Sequence, residues 1–352
     1  MNIKITGSGS YIPTEIVTNV DFAKHVFLND DGTPFPQPNE IIAEKFRDIT
    51  GIEERRYVTD DLNTSDIATI AAQKAIEDAK IDPETLDYII FAHNFGDVKK
   101  GAIQADLLPS LATRVKFNLR IKNPKCVAYD MLFGCPGWVE GVIQAQAYIR
   151  AGMAKKCLVI GAETLSRVVD MHDRDSMIYS DGAGATIIEA TDEDGGILAH
   201  ESATYTYDEA YYLFFGKSFN DEHHPDVRYI KMHGRKIYEF ALSQVPKAMA
   251  SCLDASGIDI SQVKKILIHQ ANEKMDEAII QRFYRHYKQT MPEGIMPMSI
   301  HKLGNSSVAT VPTLYDSIMK GQIENQQLNK GDVIIFASVG AGMNINAIVY
   351  QV

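Results

Sequence analysis

Two hydrophobic patterns alternate along most of the chain. Short apolar runs predict buried strands, and stretches with apolar residues at every third or fourth position predict amphipathic helices. The predicted strands cover residues 88–92, 125–129, 157–161, 185–190, 265–268, 332–337 and 344–351. The predicted helices cover residues 64–79, 136–151, 235–255, 273–287 and 306–321. This alternation indicates a layered α/β fold, and the similar content of residues 1–190 and 191–352 suggests two halves related by internal duplication.

Two irregular segments interrupt the alternation. Residues 28–38 are rich in turn-forming residues and predict a surface loop. Residues 203–231 contain many aromatic side chains followed by a polar stretch, which is too apolar for a flexible linker. We interpret this segment as the connection between the halves, packed over a cavity. The alternative is a long loop that fills a small core of its own.

Composition and charge narrow the class of protein. The chain has 352 residues, 45% of them hydrophobic, and a net charge of −11, which argues against a protein that coats nucleic acid or an anionic membrane. No apolar run approaches the ~20 residues that span a bilayer, and the N-terminus lacks a secretory pattern. The four cysteines include no C-x-x-C pair, so neither a disulfide scaffold nor a metal site is expected. We expect a reduced, cytoplasmic protein.

The strongest chemical signal surrounds Cys135. It follows a predicted strand, on a turn flanked by Gly134 and Gly137, where the next helix begins. Backbone N–H groups and the positive end of the helix dipole favour the thiolate there, and the thiolate is the nucleophilic form of cysteine. The alternative is a small buried hydrophobic residue, which is our interpretation of Cys126, Cys157 and Cys252.

Two polar residues of the second half are candidate partners for this cysteine. His269 follows an apolar strand, and Asn305 lies on a turn after Gly304. Loops at the carboxyl ends of strands collect ligands in α/β folds, although each residue alone is also explained as a structural histidine or a helix cap. The segment Gly340–Ala341 fits no nucleotide-binding motif, and its backbone N–H groups are candidates for an oxyanion site.

Seven segments together resemble β-ketoacyl-acyl-carrier-protein synthase III of the thiolase-like superfamily, in the family's order and nearly end to end. They are residues 7–13, 50–55, the Cys135 turn, 181–185, 269–272, 304–307 and 340–342. The resemblance implies a duplicated α-β-α-β-α arrangement with a five-stranded sheet in each half. It also implies a homodimer that works with acyl carrier protein.

The resemblance further implies a mechanism. Cys135 takes an acyl group from acyl-CoA or acyl carrier protein, while backbone N–H groups of Cys135 and Gly340–Ala341 bind the oxyanion. Neutral His269 and Asn305 then stabilise the enolate formed by decarboxylation of malonyl-acyl carrier protein. No cofactor is implied beyond these substrates. An apolar setting that lowers the pKa of His269 is expected, because the imidazole must donate without protonating the carbanion.

Some positions depart from the family's pattern. Lys45 stands where the family has a tryptophan that stacks on the adenine of CoA, whereas the partner arginine, Arg174, is present. Leu132 and Phe133 replace small residues before the nucleophile, and we expect them to reshape the acyl tunnel. By the resemblance, the 28–38 loop is an insertion beside the entrance for CoA. Residues 101–111, which we also expect to reshape the tunnel, lie by the resemblance in the region that reaches the partner's active site.

A group of basic residues suggests where carrier protein docks. By their position in the family's pattern, Lys274 and the 231–236 stretch, which includes Arg235, are expected near the mouth of the site. Acyl carrier proteins are acidic, so electrostatic steering is expected there. The alternative is that these are ordinary solvated helix faces. The full set is Lys231, Arg235, Lys236, Lys274, Arg282, Arg285 and Lys288.

The sequence therefore predicts a decarboxylating condensing enzyme that acts on thioesters, in fatty-acid initiation or in specialised lipid or polyketide synthesis. Two alternatives remain at this level. One is an acyltransferase that passes the acyl group from Cys135 to oxygen or nitrogen without releasing carbon dioxide. The other is a non-catalytic partner subunit.

Overall fold

The computed structural model describes residues 1–220, 222 and 224–352. The first half of the chain contains a mixed five-stranded sheet. In spatial order the strands are β1 (Asn2–Tyr11), β7 (Asp181–Thr191), β6 (Lys156–Thr164), β4 (Tyr88–Ala92) and β5 (Val127–Met131). The pairs β1–β7 and β7–β6 are antiparallel, whereas β6–β4 and β4–β5 are parallel.

The sheet of the second half repeats this order and these directions. In spatial order the strands are β8 (Gly196–Thr204), β13 (Asn344–Gln351), β12 (Val333–Gly340) and β11 (Val263–Ile268). The pairs β8–β13 and β13–β12 are antiparallel, and β12–β11 is parallel. The match confirms the predicted duplication. We keep the division at residue 190 as a proposal, close to the end of β7.

The expectation of five strands in both sheets is wrong for the second one, which has four in the described chain. The place beside β11 is taken by an irregular segment, whose Ile295 carbonyl accepts a hydrogen bond from the N–H of Ile266 at 2.8 Å. Pro292, Gly294 and Pro297 surround this contact. Proline cannot donate to a sheet ladder, so the pairing does not extend into a strand.

The helices form three layers around the two sheets. One apolar cluster joins α2 (Thr64–Ala79) and α3 (Leu111–Asn118) to the first sheet. Another joins α5 (Gly234–Ser256) and α6 (Glu273–His286) to the second sheet. Between the sheets lie α4 (Gly137–Arg150) and α8 (Thr310–Met319), in a cluster that includes residues of both. The predicted α-β-α-β-α order is thereby confirmed.

The remaining α-helices and strands lie outside the two large sheets. They are α1 (Asn39–Thr50), α7 (Ile300–Leu303), a two-stranded antiparallel sheet of β2 (Glu15–Thr18) with β3 (Glu54–Tyr57), and a hairpin of β9 (Leu213–Gly216) with β10 (Tyr229–Met232). Within the described chain, no helix has the length and apolar character needed to cross a membrane.

The β9–β10 hairpin corrects one interpretation of residues 203–231. The segment lies between β8 and α5, inside the second half, so it does not connect the halves. Its packing over a cavity is confirmed, because Leu213, Phe214, Phe215 and Ile230 line the cavity that contains Cys135. Residues 221 and 223 of this segment lie outside the described residues.

Candidate active site

The Cys135 turn lies where β5 ends and α4 begins. Gly134 has φ +67, a left-handed conformation that glycine adopts readily. A Cβ atom on Gly340 would lie 2.4 Å from the backbone nitrogen of Cys135, and one on Gly134 would lie 2.7 Å from that of Ala341. Glycine at both positions therefore lets the Gly340–Ala341 backbone pack directly against Cys135, as an oxyanion site built from these residues requires.

The thiol of Cys135 lines a cavity of about 230 Å³ and is partly accessible through it. Burial of the sulfur within the protein raises the pKa of the Cys135 thiol to about 11, while a hydrogen bond from Ser307 acts in the opposite direction. The resting thiol is therefore protonated at neutral pH. The thiolate expected from the helix N-terminus is opposed by desolvation. Cys126, Cys157 and Cys252 are fully buried, as their assignment to the core predicted.

His269 follows β11 directly and is held by a hydrogen bond from its backbone N–H to the carbonyl of Ala337, at 2.9 Å. Only 4% of the residue is exposed. Burial lowers the pKa of His269 to about 4, and a backbone hydrogen bond with Ser307 acts against that shift. The Nδ1 atom has no hydrogen-bond partner within the described chain. The imidazole is thus neutral at pH 7, as the resemblance implied.

Asn305 is held in the turn after α7, where Gly304 has φ +59. Its N–H donates to the carbonyl of Ile178 at 3.0 Å, and its carbonyl accepts from the N–H of Ser180 at 2.8 Å. The side-chain Oδ1 accepts a hydrogen bond from the N–H of Ser307 at 2.8 Å. Because the oxygen is engaged with a donor, the amide Nδ2 is the atom left to donate to a substrate oxygen.

Ser307 is the residue that brings the three predicted side chains together. Its N–H binds Asn305, its backbone hydrogen-bonds with His269, and its Oγ donates to Cys135 Sγ at 3.2 Å. Ser307 has φ +53, which is uncommon for a residue other than glycine. The sequence motif 304–307 contains this serine, but nothing in the pattern indicates that its hydroxyl faces the nucleophile.

The wall of the Cys135 cavity is mainly apolar. It is lined by Asn94, Phe95, Leu165, Tyr179, Leu213, Phe214, Phe215 and Ile230 in addition to the residues of the turn and Ser307. Leu132 and Phe133, which were expected to reshape the tunnel, are absent from this wall. Leu132 is 66% exposed at the surface, and Phe133 packs against the apolar cluster between the sheets. Their position on the strand side of the turn directs them away from the cavity.

A second cavity of about 410 Å³ is lined by Arg174, Arg235 and Lys45. Since the resemblance places these residues at the entrance to the site, we refer to this cavity as the mouth. Phe35, from the predicted 28–38 loop, also lines this mouth and places its ring centroid 5.5 Å from the guanidinium carbon of Arg174. The aromatic partner of Arg174 therefore comes from a different segment than the family pattern indicated. Nothing in the sequence of the loop marked Phe35 for this position.

The predicted basic residues differ in their surroundings. The side chain of Arg235 is 91% exposed and pairs with Glu239, and Lys274 is exposed on the first turn of α6. Lys231 is buried and pairs with Asp170 at 2.7 Å and Asp173 at 2.9 Å. Its inclusion in a docking surface is therefore wrong, since both its charge and its side chain are enclosed.

The chain was compared with known families and structures. The family model described as 3-oxoacyl-[acyl-carrier-protein] synthase III matches residues 129–206, and the model of its C-terminal part matches residues 253–352. The β-ketoacyl-[acyl-carrier-protein] synthase III of Oceanobacillus iheyensis is 33% identical over 351 residues, which cover 99% of this chain and 98% of the relative. Synthase III 1 of Halalkalibacterium halodurans is 32% identical over 343 residues, which cover 96% of this chain and 95% of the relative.

A solved structure gives the same result. The crystal structure of 3-oxoacyl-[acyl-carrier-protein] synthase III from Aquifex aeolicus has a TM-score of 0.80 and 28% identity, and the alignment covers 99% of this chain and 100% of that chain. The curated relatives and the solved structure therefore match this chain over nearly its full length. The chain therefore belongs to the 3-oxoacyl-[acyl-carrier-protein] synthase III family of condensing acyltransferases, with the thiolase-like fold.

Proposed function

We propose that the protein joins an acyl thioester to malonyl-acyl carrier protein by decarboxylative Claisen condensation, through an acyl group on Cys135. One observation carries this proposal: Cys135, His269 and Asn305 all contact Ser307 at the edge of an apolar cavity. A thiol beside an apolar cavity suits a covalently held acyl chain. A neutral imidazole and an amide are the donors that an enolate needs.

In the first half-reaction the sulfur of Cys135 attacks the carbonyl carbon of the donor thioester. The N–H groups of Cys135 and of Gly340–Ala341 stabilise the tetrahedral oxyanion. The bond to the carrier sulfur then breaks, and the carrier leaves as its thiol with the proton that Cys135 has lost. Close packing of Gly340 against the nitrogen of Cys135 supports this assignment.

In the second half-reaction malonyl thioester binds with its carbonyl oxygen near His269 and Asn305. Loss of carbon dioxide leaves the electron pair of the broken bond on the enolate, whose oxygen accepts hydrogen bonds from both donors. The enolate carbon attacks the acyl carbon on Cys135, and the sulfur departs and recovers a proton. The low pKa of His269, about 4, keeps the imidazole a neutral donor throughout.

The test is intact-mass measurement of the protein after incubation with a panel of acyl-CoA and acyl carrier protein donors. We expect a mass gain that is missing in Cys135→Ser and that disappears when malonyl-acyl carrier protein is added, with release of carbon dioxide. An adduct that leaves only with an alcohol or amine acceptor would contradict condensation and favour simple acyl transfer. A protein that no donor acylates would contradict both.

We further propose that the stacked ring and guanidinium of Phe35 and Arg174 receive the adenine of a CoA donor at the mouth. Phe35→Ala should raise the KM for acyl-CoA about fivefold, since a cation–π contact contributes on the order of 1 kcal/mol. Initial rates with acyl carrier protein donors, which carry no adenine, provide the control. An equal loss with both donors would contradict this role.

Two partners complete the proposal. Acyl carrier protein is proposed to dock at the mouth, which the exposed Arg235 lines and near which Lys274 is expected from the resemblance. A second copy of the chain is proposed to pair along β5, an edge strand of the first sheet. An edge strand presents unpaired backbone groups that a partner strand can satisfy.

A further inference from the structure

A chain of three polar side chains reaches the sulfur of Cys135 from the first sheet. Glu163, in β6, is 1% exposed and accepts a hydrogen bond from Asn94 Nδ2. Asn94 Nδ2 also donates to Ser307 Oγ at 3.3 Å. Ser307 Oγ in turn donates to Cys135 Sγ at 3.2 Å. None of these three belongs to the Cys/His/Asn set.

The direction of these hydrogen bonds determines where the serine proton lies. An amide nitrogen is a donor only and has two hydrogens, which suits one bond to the carboxyl group and one to the hydroxyl. Because Ser307 Oγ accepts from Asn94, its own hydrogen is available for the sulfur. The network therefore holds the Ser307 O–H group in position to donate a hydrogen bond to Sγ. It does not conduct protons, because the Asn94 amide nitrogen only donates hydrogen bonds.

The backbone fixes the same hydroxyl from the other side. Ser307 is in the left-handed region, with φ +53, and its N–H is held by Asn305 Oδ1 at 2.8 Å. Asn94 lies just beyond β4, and β4 pairs directly with β6, which carries Glu163. Two adjacent strands and a strained turn thus converge on one oxygen atom. Strain of this kind persists where the surroundings enforce it.

Acyl transfer needs the anionic sulfur, and the cavity does little to solvate it. The apolar wall described above removes water from Sγ, and His269 is neutral and provides no positive charge. A hydrogen bond to an ionised acceptor is about twice as strong as one between neutral groups. We propose that the Ser307 hydroxyl stabilises the Cys135 thiolate, and that Asn94 and Glu163 are positioning residues that hold this hydroxyl on the sulfur.

The proposal rests on the proposed function only in that acyl transfer uses the thiolate. In that step Cys135 loses its proton, the new carbon–sulfur bond forms, and the departing carrier thiol takes up one proton. The test avoids any acyl substrate. The second-order rate of alkylation of Cys135 by iodoacetamide is measured from pH 6 to 11 on the full chain. Intact mass counts the adduct, and Cys135→Ser gives the background.

We expect Ser307→Ala to move the alkylation profile about one to two pH units higher, as loss of a hydrogen bond to a charged group implies. Ser307→Gly removes the same hydroxyl and tolerates the left-handed backbone, so it separates loss of the donor from misfolding. Ser306→Ala is the matched control, because Ser306 Oγ contacts Thr310 instead of the sulfur. Profiles of both Ser307 variants that coincide with the wild type would overturn the proposal.

The positioning residues are tested by a conservative pair. Glu163→Ala frees Asn94, whereas Glu163→Gln keeps an oxygen that accepts from Asn94, so the profile of Glu163→Ala should lie at higher pH than that of Glu163→Gln. Both variants remove the carboxylate charge that raises the pKa of the Cys135 thiol, so the comparison between them isolates the positioning effect. Asn94→Ala, which keeps this charge, should move the profile to higher pH than the wild type. If Asn94→Ala leaves the profile unchanged, the positioning role is wrong. A protein that alkylates as expected but is acylated by no donor would contradict the proposed function instead.

Discussion

At the scale of the residue, burial sets the protonation states of the site. The imidazole of His269 and the thiol of Cys135 are both desolvated, which lowers the pKa of the histidine to about 4 and raises that of the cysteine to about 11. Both groups are therefore neutral across the physiological range. Neutrality suits His269 as a donor to an enolate, whereas Cys135 needs a further donor before it can react as the thiolate.

Replacing His269 by alanine should separate the two half-reactions. Malonyl decarboxylation should fall by about 10²–10³-fold, the usual effect of removing one donor to a developing oxyanion. Acylation of Cys135, followed by intact mass, should persist. His301→Ala is the control, because its imidazole binds Glu273. Carbon dioxide release by His269→Ala at the wild-type rate would show that the histidine has no part in the decarboxylation.

Glu163 should make the protein less stable as the pH rises. Burial raises the pKa of its carboxyl group to about 8 in the folded chain, whereas the unfolded chain ionises near 4.3. Between these values the unfolded state loses its proton first, so the free energy of unfolding falls as the pH increases. The loss attributable to Glu163 is on the order of 5 kcal/mol at most.

Urea denaturation at pH 5 and pH 8 measures this effect. Glu163→Gln should be stabilised relative to the wild type at pH 8 more than at pH 5. The exposed Glu324 offers the control variant Glu324→Gln, which should show no such difference. Equal differences between Glu163→Gln and the wild type at the two pH values would contradict a raised pKa for this carboxyl group.

At the scale of the element, the β9–β10 hairpin forms part of the wall of the Cys135 cavity. Phe215 of β9 stacks on Phe95, with ring centroids 5.2 Å apart. Both residues also line a neighbouring cavity of about 300 Å³. The two rings therefore form a partition between the Cys135 cavity and this neighbour, and we propose that they limit the length of the acyl chain that fits beside the sulfur.

Removing one ring should let longer acyl chains bind. In Phe215→Ala, the kcat/KM for long acyl donors relative to short ones should rise about tenfold. A change of this size is expected because each methylene group that a hydrophobic pocket accepts or excludes changes kcat/KM by about tenfold or more. The measurement is acylation of Cys135 with a series of donors. Met153→Ala, at an exposed position just after α4, is the control. An unchanged order of donors would rule out the partition.

Comparison of the predicted and observed strands shows which of them the hydrophobic pattern predicts accurately. The predicted strand 88–92 and closing strand 344–351 match β4 and β13 residue for residue, because uninterrupted apolar runs leave few alternatives. The strand β1 was missed, since Gly7 and Gly9 weaken its pattern. These glycines are needed because a Cβ on Gly9 would lie 2.4 Å from the carbonyl oxygen of Ala71 in α2. Tertiary packing, and not local propensity, explains this strand.

At the scale of the whole molecule, several large apolar side chains are exposed in the segment that leads into β5 and directly after this strand. Leu108 is the most exposed of them at 88%. The others are Ile103 at 75%, Leu132 at 66%, Phe117 at 64% and Leu107 at 50%. Clusters of this kind on a protein surface mark interaction sites, which supports the proposed homodimer.

Analytical ultracentrifugation should give twice the mass of the chain. The double variant Leu108→Glu, Leu132→Glu should dissociate at micromolar concentration, because two charges would be buried without partners. Val20→Glu, at a separate exposed apolar position that is 78% exposed, should remain dimeric. A wild-type protein that sediments as a single chain would contradict the proposed assembly.

The sequence by itself determined the layered α/β fold, and it marked three candidate site residues, namely Cys135 on its turn, His269 after a strand and Asn305 on the turn after Gly304. These features follow from local periodicity and from motifs only a few residues long. Tertiary structure decided the rest. Ser307 and Cys135 are 172 positions apart, Phe35 reaches Arg174 from a distant loop, and the charge of Lys231 is enclosed by two aspartates. Such contacts, and the pKa values that burial shifts, depend on which distant segments pack together, and the pattern along the chain does not record this.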